Sequence, residues 1–169
     1  MIIVDKALQD RAAAGDPVRV GVVGSGFAGQ GFVDQVTQHT PGMEISVVAN
    51  RTLDGAAQAF RQIGIDDVDV VSTAAQLEAA MAAHRPAITD DPTLVTGNGR
   101  IEAVVEATGE IEFGSHTAVA TIEAGKHLRV PRDVPDFAVI DSLVSVHQDV
   151  SRARYAGPAE FSVRCPKRG

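Results

Sequence analysis

The chain has 169 residues, of which 44% are hydrophobic and only 4% aromatic, and it carries a formal net charge of −7. That length suits a single domain whose core must be filled mainly by Val, Ile, Leu and Ala. The negative balance argues against nucleic acid and anionic membrane surfaces as partners, since no basic patch interrupts it in the first 127 residues. Cys165 is the sole cysteine, which excludes an intrachain disulfide and a cysteine-based zinc site and fits a reducing compartment.

The opening MIIVDKALQD has neither the charged start nor the long apolar stretch of a secretory signal. No run approaches the roughly 18 apolar residues of a membrane span, so a cytoplasmic protein is expected. Leu8 and Ala12 stand at helical spacing in VDKALQDRAAAG, and Gly15, Asp16 and Pro17 stop this first helix. VRVGVV then supplies β-branched residues for a buried strand. A turn carrying Gly24, Gly26, Gly29 and Gly31 follows, and Phe32, Val33 and Val36 share one face of the helix it opens. Pro41 and Gly42 end that helix. MEISVVAN is the next strand, closing a strand-helix-strand unit of about 32 residues, long enough for a parallel crossover.

LDGAAQAFRQI reads as a helix with Ala57, Phe60 and Ile63 on its inner face, and VDVV as a short strand. Ser72 or Thr73 caps the alanine-rich helix AAQLEAAMAAH, which ends at Pro86 and leads into a short strand AIT. After the turn signal GNGR, IEAVVEATGE is a strand ending in small residues, and SHTAVATIEAGKH is a helix stopped by Gly125. The alternation predicts an α/β fold with a doubly wound parallel sheet over residues 1–127.

Beyond residue 127 the composition changes. Residues 1–127 hold 14 of the 16 glycines with 8 basic and 17 acidic side chains, whereas 128–169 hold 7 basic, 5 acidic and half of the 8 prolines. A further parallel strand is expected to fail in LRVPRDVPDF, because Pro131 and Pro135 remove ladder donors and Arg129 and Arg132 would meet apolar layers. Residues 128–169 are therefore expected to form an irregular tail. An exposed strand edge beside it would invite pairing with a second copy of the chain.

Gly24, Gly26 and Gly29 form G-x-G-x-x-G between a strand and a helix, the context this pattern needs. Gly24 allows the tight turn, Gly26 lets a pyrophosphate reach the backbone, and Gly29 brings helix and strand together. The stretch Gly24, Ser25, Gly26, Phe27, Ala28 and Gly29 is the expected cradle, with the helix amides supplying positive charge. A glycine-rich bend in another α/β protein is the competing explanation.

At the end of the second strand, an acidic residue would accept hydrogen bonds from the adenosine ribose and repel a 2′-phosphate. This chain places Asn50, Arg51 and Thr52 there. Asn50 and Thr52 offer neutral donors, and Arg51 can neutralise a phosphate, which favours NADP(H) over NAD(H). Asp54 close by keeps NAD(H) as the alternative. Asn50 also argues against an adenosylmethionine-dependent methyltransferase, which would want an acid at that position. Ala107, Thr108 and Gly109 in EATG leave room for the nicotinamide ribose, or form a plain turn capped by Thr108 or Ser115.

Reduction of a carbonyl needs a positioned acid, normally Lys, His or Tyr. Lys126 and His127 fall at the amino-terminal edge of the sheet, away from the cradle. His116 is better placed, on the first turn of the helix after EATG, although a lone histidine there is more often a cap or surface residue. His39, His84 and His147 have no partner pattern, and no metal-ligand cluster emerges.

VRVGVVGSGFAGQGF, PGMEISVVANRT and VVEATG with GSHTAVATIEAGKH resemble the amino-terminal half of the homoserine dehydrogenase-like oxidoreductases. The nearest branch includes the deoxyxylulose-phosphate reductoisomerase-like enzymes with a carboxyl-terminal SAF domain. The resemblance covers residues 5 to 127 and implies a Rossmann-type domain holding NADP through the cradle, Asn50, Arg51, Thr52, Ala107, Thr108 and Gly109. It also implies a small polar carbonyl or sugar-phosphate-like substrate. Catalytic residues in such enzymes follow AGKH, where the match is lost. Two accounts fit: a longer enzyme truncated or read out of frame after His127, or a short protein with its own tail. A non-catalytic NADP(H)-binding module is the alternative function.

Overall fold

The computed structural model describes residues 3–131. In chain order the elements are α1 (Ile3–Ala13), β1 (Val18–Val23), α2 (Phe27–His39), β2 (Met43–Ala49), α3 (Leu53–Arg61) and β3 (Asp69–Val70). There follow α4 (Ala74–Ala82), β4 (Ala87–Thr89), α5 (Thr93–Gly97), β5 (Ala103–Glu106), α6 (Ile111–Glu123) and β6 (His127–Arg129). All strand pairs are parallel, and the six-stranded sheet has the order β3-β4-β2-β1-β5-β6. The order reverses at β1, which lies between β2 and β5. Such a reversal opens a crevice at the carboxyl ends of the strands.

The core is built as parallel strands demand, with apolar residues on both faces. Val20, Val22, Val33, Val36 and Phe60 pack on the side of α2 and α3. Val23, Val47, Leu77, Met81 and Val95 pack on the side of α4 and α5. Each fully buried side chain of this size contributes about 1.5–3 kcal/mol of transfer free energy. No helix among the described residues is long and apolar enough to cross a membrane.

The first helix has a mechanical role. The Arg11 guanidinium forks onto the Glu102 carboxylate at 2.7 and 2.9 Å, and its pKa is raised by those bonds. A Cβ at Gly42 would lie 2.0 Å from the carbonyl oxygen of Leu8, so helix and backbone touch directly. Glu102 precedes β5 and Gly42 precedes β2. α1 thus closes the amino-terminal edge of the sheet and leaves the carboxyl edge open.

Several expectations are corrected. β6 exists: His127, Leu128 and Arg129 pair with Ala103, Val104 and Val105, so the alternation continues past residue 127 by one short strand. Among the described residues β6 is an edge strand, which leaves side chains uncovered, and Arg129 is exposed on it. The inner face of α3 is Ala56, Ala59 and Phe60, with Ala57 and Ile63 only half-buried at its margins. α5, unanticipated, occupies part of the stretch before GNGR. α6 starts at Ile111, which puts His116 on its second turn, exposed. Thr73 caps α4 in a capping box with Gln76. The expected tail from residue 132 on, including Cys165 and His147, lies outside the described residues.

Lys126 is buried between α6 and β6, and its ammonium donates to the carbonyl oxygens of Ile101, at 2.8 Å, and Asn98. Burial lowers its pKa from the ordinary 10.5. Between that lowered value and 10.5 the unfolded chain binds more protons than the folded one, so the lysine's contribution to stability rises with pH. Urea midpoints measured through this window are expected to climb for the wild type relative to Lys126→Met. A constant gap between the two would show that the ammonium keeps its ordinary affinity for protons.

Candidate functional site

Three short backbone bonds set the carboxyl edge. Gly24 N donates to Ala49 O at 2.8 Å, Asn50 N to Thr89 O at 3.0 Å and Ala107 N to Val23 O at 2.7 Å. These extend the ladder one residue beyond each strand and fix where the loops depart. A cleft of about 520 Å³ opens above them, walled by residues that follow β1, β2, β4 and β5.

The three glycines divide their tasks as the sequence suggests. Gly24 has φ +95°, and a Cβ there would sit 2.6 Å from the backbone of Ala107 and Thr108. A Cβ on Gly29 would sit 2.1 Å from the Gly24 carbonyl oxygen, so α2 rests directly on the turn. At Gly26 a Cβ would meet nothing within 4 Å, and the residue lines the cleft. Gly26 is the N-cap of the 13-residue α2, which has no side-chain cap and no acidic residue in its first turn. Its first amides and the positive end of its dipole therefore remain available to an anion.

The neighbouring residues sort into walls and props. Ser25, Asn50, Arg51, Ala107 and Thr108 line the cleft. Phe27 does not: it is 96% exposed on the outer side of α2, beside Gln30 and Asp34. Ala28 and Gly109 are also absent from the wall, Gly109 serving as a turn at φ +72°. Thr52, expected to offer a donor, is the N-cap of α3, accepting from Gly55 N at 3.2 Å. Asp54 is engaged by Arg61 at 2.6 Å, while Arg51 has no ion pair among the described residues.

Glu106 is fully buried at the end of β5. Its Oε1 accepts from Thr108 N at 2.9 Å and from the Thr108 hydroxyl, and Glu110 N donates to Thr108 Oγ1 at 3.3 Å. Neither Thr108 nor Ser115 is the cap of α6. Glu110 holds that place, and the Ser115 hydroxyl donates back to Ile111 O. A buried carboxylate thus ties down the EATG turn through both the amide and the hydroxyl of Thr108.

Sequence reasoning missed Asp90, Pro92, Glu110 and Phe113, all on the cleft wall. The first two were in principle findable, since AIT ends at the same sheet edge as its parallel neighbours. The last two were hidden by the misplaced start of α6. His116, Lys126 and His127 stay away from the cleft, and its wall among the described residues includes no Lys, His or Tyr.

No protein-family model matches the sequence, and no curated protein sequence matches it. Solved structures do. A homoserine dehydrogenase from Thiobacillus denitrificans superposes with a TM-score of 0.55 at 20% identity, over 80% of this chain and 28% of the other. A myo-inositol dehydrogenase from Lactobacillus casei, in complex with NAD(H) and myo-inositol, gives 0.55 at 18% identity over 80% and 34%. The fold is Rossmann-type, with the glycine turn, helix and crevice in their usual relation. The chain spans about a third or less of the length of these two neighbours.

Proposed function

We propose that this chain is the dinucleotide-binding domain of an NAD(P)-dependent oxidoreductase, with NADP(H) preferred. One observation carries the reading: Gly26 is bare and open above the cleft, at the uncapped start of α2, while the glycines on either side are demanded by packing. A diphosphate placed there would receive main-chain amides and a helix dipole without needing a lysine. The nicotinamide nucleotide supplies a hydride when bound. Arg51 would hold the 2′-phosphate, and the Glu106-braced Thr108 turn would floor the ribose at the other end of the cleft.

The resemblance to homoserine dehydrogenase-like enzymes, and within them to the branch with an SAF domain, rests on sequence motifs. It points to a small polar carbonyl or sugar-phosphate-like substrate. A second reading, a non-catalytic NADP(H)-binding module, is favoured by one observation: among the described residues the cleft wall offers no Lys, His or Tyr to protonate an alkoxide. Fluorescence titration of the full chain with NADPH and NADH tests binding, and turnover assays with aldehydes and keto-sugars separate enzyme from module. Arg51→Ala is expected to weaken NADPH by about 1–3 kcal/mol and NADH much less. Equal losses for both would remove the case for 2′-phosphate recognition.

A further inference from the structure

Asn50 stands at the end of β2 with its amide already spoken for. Its Oδ1 accepts from Ser25 N at 3.4 Å, and its Nδ2 donates to Thr52 O at 3.2 Å and Thr52 Oγ1 at 3.4 Å. Both polar atoms of the carboxamide therefore have partners within the protein. Each bond is at the long end of the usual range and individually weak. Together they carry the link between the glycine-rich turn after β1 and the turn between β2 and α3 one residue beyond the Gly24 N to Ala49 O bond.

Gly55 closes the arrangement from the other side. A Cβ there would lie 2.4 Å from Asn50 Nδ2, 2.9 Å from Thr52 Oγ1 and 3.4 Å from Ser25 Oγ. Gly55 is not among the residues with positive φ, so space and not backbone conformation keeps it bare. The amide is confined between the Ser25 backbone, Thr52 and the first turn of α3. Arg51 sits at the loop tip between Asn50 and Thr52, exposed and on the cleft wall.

We infer that Asn50 is a positioning residue: it ties the Arg51 loop to the glycine-rich turn and, with Gly55, sets the preference between dinucleotides with and without a 2′-phosphate. This inference rests on the dinucleotide reading above. The chemistry follows from fixed lengths. In one nucleotide the 2′-phosphate and the diphosphate are joined through a single ribose, so a guanidinium meets the first only when its loop is held in register with the amides that meet the second. Loosening the strap displaces the guanidinium relative to the amides that meet the diphosphate.

Titration of the full chain with NADPH and NADH, in wild type, Asn50→Ala, Gly55→Ala, Arg51→Ala and the Asn50→Ala/Arg51→Ala double variant, tests this. Asn50→Ala and Gly55→Ala are each expected to lower the NADPH-over-NADH preference about five-fold, the worth of about one hydrogen bond, with NADPH losing more than NADH. Once Arg51 is gone, removing Asn50 should leave the preference where it was, because the two act as one unit. An unchanged preference in both single variants, with only the melting temperature lowered, would reduce the bonds to plain loop stabilisation and overturn the inference. Equal weakening of both nucleotides, or an additive effect in the double variant, would overturn it as well by making Asn50 a ligand contact. A wild type that binds neither nucleotide would sink the dinucleotide reading itself, and the inference with it.

Discussion

Gly26→Val is expected to abolish binding of NADPH and NADH alike while the protein stays folded. Gly26 has φ −70° and ψ −170°, a conformation open to any L residue, and a Cβ there meets no protein atom within 4 Å. The fold therefore accepts the side chain. Valine is a poor N-cap, so α2 should lose up to about 1 kcal/mol, and the melting temperature about 2–4 °C for each kcal/mol in a chain of this size. The cleft does not accept it, because the isopropyl group occupies the place where a diphosphate would reach the first amides of α2. A loss of at least a hundred-fold in affinity is expected for both nucleotides, about 2.8 kcal/mol at 1.4 per decade. Retained NADPH binding in a folded Gly26→Val protein would place the nucleotide elsewhere.

The selective behaviour of these glycines explains what the sequence could and could not reveal. β1, the glycine turn, α2 and β2 were legible because a β-branched run buried on both faces, followed by glycines at fixed intervals, leaves few physical solutions. α5 was hidden, since its start is built from Asp91 accepting from Thr93 N at 2.9 Å, which reads as ordinary turn chemistry. α6 begins early through IEFG, where Gly114 lowers helix propensity. The structure accounts for that glycine: a Cβ there would come within 3.0 Å of the Glu106 carboxylate. In the site, glycine roles followed from local geometry, whereas the roles of Asn50 and Thr52 depended on which tertiary neighbours would claim their hydrogen bonds. A neutral polar residue does not announce its partner. Phe27 fell to the same limit, since at the first position of a helix periodicity does not decide between the cleft and the outer face.

Gly24→Ala is expected to have the largest effect on stability, about 2–5 kcal/mol, from two penalties that add. The first is conformational: φ +95° is strained for a residue with a Cβ, costing about 1–2 kcal/mol. The second is steric. The Cβ would press on Ala107 and Thr108 backbone atoms at 2.6 to 2.7 Å, and overpacking of that kind costs typically about 1–3 kcal/mol. Neither neighbour can yield cheaply, because Ala107 N is bonded to Val23 O and the Thr108 turn is gripped by Glu106. Thermal or urea unfolding of Gly24→Ala beside Gly26→Val measures the contrast. A melting temperature within a degree or two of wild type for Gly24→Ala would mean that the turn relaxes freely, and the case for a backbone-defined cradle would fail. The expected pattern is opposite in the two variants: at Gly24 the protein itself forbids a side chain, while at Gly26 only a bound anion does. What sets Gly26 apart from other unhindered glycines such as Gly31 and Gly97 is its place on the cleft wall, at the uncapped start of α2.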